Sequence, residues 1–112
     1  MNVEDFRQLA LSLPDTAERE HMDHPDFRVG GKIFATLWPN DRKGVILLSP
    51  KHQADLMEAN PRAFQPVKGG WGKQGATEVL LRHATKRITR KALVLAWRKR
   101  APRKLAAQHE DL

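Results

Sequence analysis

Apolar residues at Val3, Phe6, Leu9, Ala10 and Leu13 recur at helical spacing, so the chain opens with one buried helical stripe. Asn2 stands at the cap position, and Asp5 three residues on completes a capping box. Pro14 ends this helix, because the residue before a proline is pushed out of the α region. The pattern then shortens towards a period of two. A strand is predicted over 17–22, a turn at Asp23-His24-Pro25, and two β-rich runs flank Gly30-Gly31. Paired glycines suit the positive φ values of a two-residue hairpin turn. With that turn Phe27 lies opposite Phe34 on the side of Val29 and Trp38, while Ile33, Ala35 and Leu37 take the other side with Arg28. A three-residue turn instead gathers Phe27, Val29, Ile33, Ala35 and Leu37, since a slip of one residue exchanges faces. Either register leaves apolar groups on both faces of the second strand. One face packs on helices; the other then needs a loop, a second chain or a ligand over it.

Further along, Pro39–Gly44 reads as a polar turn and Val45–Leu48 as a short apolar strand. Ser49-Pro50 starts a helix that Asn60-Pro61 stops, with Ala54 and Met57 as its inward residues. The Pro- and Gly-rich stretch 61–75 wraps the sheet edge, pinned by Phe64, Val67 and Trp71. Thr77–Arg82 is a last strand. A longer helix begins near Thr85 or Ile88 and runs to Arg100. Ile88, Ala92, Leu95 and Ala96 face one way on its wheel, with Leu93 and Trp97 at the flank, and Arg87, Arg90, Lys91 and Arg98 gather opposite around Val94. Pro102 opens a short terminal helix. The order is helix, three or four strands, helix, one or two strands, then two helices. That order implies a two-layer α+β fold, a mainly antiparallel sheet with helices packed on one side. Residues 1–112 form a single domain, with no repeat or linker.

Charge changes the picture more than composition does. The net charge is +7, yet residues 1–27 carry seven acids and two bases, and the remainder eighteen bases and six acids. Between Arg82 and Lys104 there are ten Lys or Arg residues and no acid. This asymmetry points to an anionic partner, nucleic acid above all; the plainer alternative is a solvated helix face. The absence of cysteine removes disulfides and thiolate metal sites and suits a reducing compartment. No apolar run reaches a membrane span and the first residues are acidic, so a soluble cytoplasmic protein with no membrane partner is expected.

Candidate chemistry is sparse. Gly70-Trp71-Gly72-Lys73-Gln74-Gly75 matches G-x-G-x-x-G, but a Pro-rich stretch precedes it and a strand follows, so it reads as a turn with Trp71 as a plug. His21 and His24 with Asp23 and Asp26 are conceivable metal ligands, but no second dyad is near, and surface histidines beside a turn are the simpler reading. Ser12 and Ser49 offer no nucleophile beside a base, and Glu18 and Glu20 suit a polar strand face. No catalytic residue, cofactor or metal is expected, and the protein reads as a non-enzyme. The basic run carries the functional reading. Arg82, Lys86, Arg87, Arg90, Lys91, Arg98, Arg103 and Lys104 are expected to contact phosphates, with Lys32, Arg42 and Lys43 as basic tips at two turns. Trp38 or Trp71, where exposed, adds a surface for stacking an unpaired base. The competing class is an interaction module, a homodimer or a protein-binding sheet.

Several short motifs lie in order along the chain: Leu11-Ser12-Leu13-Pro14, His24-Pro25 with Phe27-Arg28-Val29, and Gly31-Lys32-Ile33-Phe34-Ala35. Phe64 with Pro66, Gly70-Trp71-Gly72 with Gly75, and Ala96-Trp97-Arg98 running into Ala101-Pro102 follow. Together they resemble the MmcQ/YjbR family of small bacterial proteins across essentially the whole chain. The resemblance implies an α+β domain similar to secretion-chaperone-like or frataxin-like folds, and a DNA-binding role attached to a double-wing arrangement. The matching residues belong to turns and core, and no catalytic residue comes with them. Nucleic-acid binding therefore rests here on the charge pattern.

Overall fold

The structure is a computed structural model that describes residues 1–112, the side chain of His21 excepted. Helix α1 (Val3–Leu11) leads into strands β1 (Ala17–His21), β2 (His24–Val29), β3 (Lys32–Trp38) and β4 (Lys43–Leu47). Helix α2 (Pro50–Ala59), edge strand β5 (Phe64–Pro66), the single-turn helix α3 (Gly70–Lys73) and β6 (Ala76–Leu80) follow. Helices α4 (Lys86–Arg100) and α5 (Arg103–Gln108) close the chain. The strands form one sheet in the order β1-β2-β3-β4-β6-β5, with every neighbouring pair antiparallel. Helices cover one side of it, so the fold is α+β as the element order implies. The capping box at Asn2 is present: Asp5 N donates to Asn2 Oδ1 at 2.7 Å and Asn2 N to Asp5 Oδ2 at 2.9 Å.

Both hairpin registers contribute. Gly30 (φ +58°) and Gly31 (φ +77°) make the two-residue turn, pairing Val29 with Lys32 and Arg28 with Ile33. A bulge then shifts the register, so that Phe27 pairs with Ala35 rather than Phe34. The extra residue turns Phe34 inward as well, and Phe34, Ala35 and Leu37 are all fully buried. The apolar second face expected from strict alternation is thereby largely removed. Because both turn residues have positive φ, Gly31→Val is expected to cost about 1–3 kcal/mol, a β-branched residue being a poor occupant of that region. Urea unfolding measures it, and an unchanged midpoint would rule out the strain.

The core lies between the sheet and helices α1 and α4. Phe6 meets Phe27 edge-on with ring centroids 6.2 Å apart, and Trp97, fully buried, donates from Nε1 to Pro14 O at 2.9 Å. That contact turns α4 relative to the expected wheel. Thr89, Leu93, Ala96 and Trp97 are buried, while Ile88 and Leu95 are half-buried at the flank. Helix α2 is also turned by a residue. Gln53 and Leu56 face inward, Met57 is half-buried and Ala54 is exposed. The reason is polar: the Gln53 amide donates to Gly72 O at 3.0 Å and Ala76 O at 3.1 Å, buried carbonyls that need a donor.

Candidate nucleic-acid interface

Helix α4 starts at Thr85, whose hydroxyl accepts from Ile88 N at 3.3 Å. At steps of about 100° Arg87, Arg90 and Lys91 fall within about 100° of one another on the helix wheel, and all three are exposed. They line a shallow groove of about 380 Å³ whose apolar floor is Val94, Leu95 and Leu112. Among the described residues none of the three has an acidic partner within ion-pair distance. Arg87, with Lys86 in the first turn, is also placed at a cost to the helix itself. The amino-terminal turn is the positive end of the helix dipole, which favours acids by roughly 0.3–1 kcal/mol each. Helix α1 obeys that preference with Glu4 and Asp5, whereas the first turn of α4 has bases and no acid. An anion seated there would relieve the excess.

A family model described as YjbR matches residues 11–99. The chain belongs to the YjbR family. Its fold is similar to that of the crystal structure of Deinococcus radiodurans protein DR2400, which carries a domain labelled DUF419. The TM-score is 0.71 at 19% identity, over 97% of this chain and 80% of that one. No curated protein matches the sequence.

The remaining bases of this YjbR domain do not form one surface. Arg98 is half-buried and holds the chain end: its Nη2 donates to His109 O and Glu110 O, each at 2.9 Å. It is a structural residue at the foot of the groove rather than a free contact. Lys86 is exposed with Asp5 Oδ1 3.5 Å from its ammonium. Arg82 and Arg42 line a separate cleft beside the amino terminus, with Arg42 at φ +49° in the turn. Lys32, Arg103 and Lys104 are exposed, on two segments that meet where Gly30 abuts the ring of Pro102.

Lys43 is not a turn tip. It lies in β4, and its ammonium donates to Glu78 Oε2 at 2.7 Å. Burial alone would raise the Glu78 pKa, but hydrogen bonds from Lys43 and Gln65 and the charges of Lys43 and Lys68 outweigh it and lower the value. A lowered carboxyl stabilises the fold above its unfolded pKa, about 4.3, and that contribution disappears as pH falls through the lower folded value. Lys43→Met is therefore expected to cost about 1 kcal/mol near neutral pH and progressively less below about pH 4. Thermal unfolding across that range checks it; a pH-independent difference would show that the pair is not responsible.

The face of the sheet opposite the helices carries mixed charge. Asp26, fully buried, accepts from Arg28 Nε at 2.9 Å and Nη2 at 3.1 Å, and Arg28 is raised by this bond. His24 is buried and stacks on Trp38 at 3.8 Å, and Trp38 Nε1 donates to Thr36 Oγ1 at 2.9 Å. The expected surface histidine is thus a packed one, which also occupies one face of Trp38. The spacing His24, Asp26, Arg28 on a strand was the signal for this cluster, since alternate residues share a face. Among the described residues no three His, Asp or Glu side chains converge as metal ligands, and the His21 side chain named as a candidate lies outside them. No helix in the described residues is long and apolar enough to cross a membrane.

Proposed function

We propose that this YjbR domain binds nucleic acid, DNA in the first instance, by phosphate contacts on the outer face of α4 and without reading bases. The observation that carries the reading is the trio Arg87, Arg90 and Lys91, exposed on one groove of α4 and, among the described residues, without an acidic partner. Charge-assisted contacts to phosphate release counterions and fix a protein on a duplex without conveying sequence. Lys32, Arg103 and Lys104 supply a second basic cluster. The mixed charge of the open sheet face makes it the poorer phosphate surface.

Fluorescence titration of unrelated duplexes at about 50 and about 200 mM salt tests the proposal, since phosphate contacts weaken linearly in log–log terms over that range. Similar affinities across sequences, falling steeply with salt, are expected. Absence of binding at the lower salt would overturn it.

A further inference from the structure

The segment from Gly70 to Gly75 plays no part in the α4 surface, and it does not pack as its tryptophan suggests. Trp71 is 73% exposed. The segment is instead held by its backbone. Gly75 O accepts from Leu48 N at 3.2 Å, and at φ +113° a Cβ on Gly75 would lie 1.9 Å from Leu48 O. Only glycine permits that approach. With the segment docked this way, Trp71 is spared from anchoring and stands at the rim of a cavity of about 270 Å³.

The floor of the cavity is apolar, formed by Leu47, Leu48 and Ala76; Lys99 and Arg100 line it and no acid does. Lys99 Nζ donates to Leu48 O at 3.2 Å, and burial, reinforced by the charge of Arg100, lowers its pKa. Arg100 Nε is buried and has no hydrogen-bond partner. Bases suit the carboxy-terminal end of a helix, which accounts for their presence in the last turn of α4. It does not supply either cation with a counter-charge: Arg100 Nε is shut off from the cavity as well as from water, and an anion there would meet the terminal guanidinium nitrogens. Nor does it explain an indole left in solvent beside two adjacent cations.

We propose that this cavity binds a small free planar anion, its ring stacked on Trp71 and its phosphate or carboxylate received by Arg100 and Lys99. The volume falls just below the roughly 300–1,000 Å³ of clefts that take drug-sized ligands, which fits a single ring system. The site is distinct from the outer face of α4 and does not depend on the nucleic-acid reading.

The test titrates the full chain with adenosine monophosphate and with indole-3-carboxylate, following calorimetric heat and the Trp71 indole N–H resonance. Adenosine and inorganic phosphate serve as the separate halves. Saturable binding by either anion is expected. Each half alone should bind about tenfold more weakly or worse, and Arg100→Gln and Trp71→Leu should each weaken the anion by a similar factor. Arg100→Lys should recover part of the loss, and circular dichroism confirms that the variants fold. Reversing Arg87, Arg90 and Lys91 should leave this binding unchanged, so failure of one site is separable from failure of the other. No saturable response to either anion, full affinity in both variants, or a response only to single-stranded oligonucleotide would overturn the proposal.

Discussion

Trp97→Ala is expected to destabilise the domain by about 3–5 kcal/mol, the largest stability loss of any change considered. The indole is fully buried among the residues that join α4 to the sheet, so its removal leaves a cavity that a packed core refills only in part. It also leaves Pro14 O without the donor now 2.9 Å away, three residues past the end of the first helix. Two long-range constraints are lost together, one apolar and one polar. Trp97→Phe separates them: it keeps most of the volume and removes only the donor, so about 1–2 kcal/mol is expected. Urea unfolding of both variants provides the measurement. A loss below about 1 kcal/mol for alanine would mean that α4 is not held by this residue.

Arg87→Glu, Arg90→Glu and Lys91→Glu combined are expected to weaken duplex binding by about a hundredfold at low salt, equally for unrelated sequences. Each phosphate contact contributes about 0.9 to the slope of log affinity against log salt, so losing three should reduce that slope by roughly 2.7. The fold should survive, because all three side chains are exposed and make no ion pair with a described residue. The glutamate at 87, in the first turn of α4, also suits the helix dipole, so the variant should stay close to the parent in stability. Unaltered binding would move the contact surface to Lys32, Arg103 and Lys104. An unfolded variant would contradict the exposure of these three residues.

Local rules were sufficient for much of this domain. Asn2 and Asp5, Ser49-Pro50, Thr85 and the glycine pair at 30–31 act over three or four residues, and each marks its element where the structure has it. The α+β class and the YjbR resemblance were legible in the same way, from element order and short motifs. The exposed trio on α4 was also legible, since helical spacing alone places Arg87, Arg90 and Lys91 together.

What tertiary structure decided was which way elements face and which charges remain unpaired. Hydrophobic periodicity set the stripe on α4 to within one step of the wheel, and the bond from Trp97 to Pro14, 83 residues distant, chose the final rotation. Carbonyls on another element turned α2 through Gln53. A bulge merged the two possible hairpin registers. Arg98 and Lys43 look like their neighbours in sequence, yet one holds the chain end and the other an acid on a different strand. Trp71 looked like a plug because tryptophan usually packs, and it is exposed because backbone contacts at Gly75 already hold its segment. Sequence determines such features only through partners far along the chain, because a side chain's direction and net charge environment are set by what the folded backbone brings beside it.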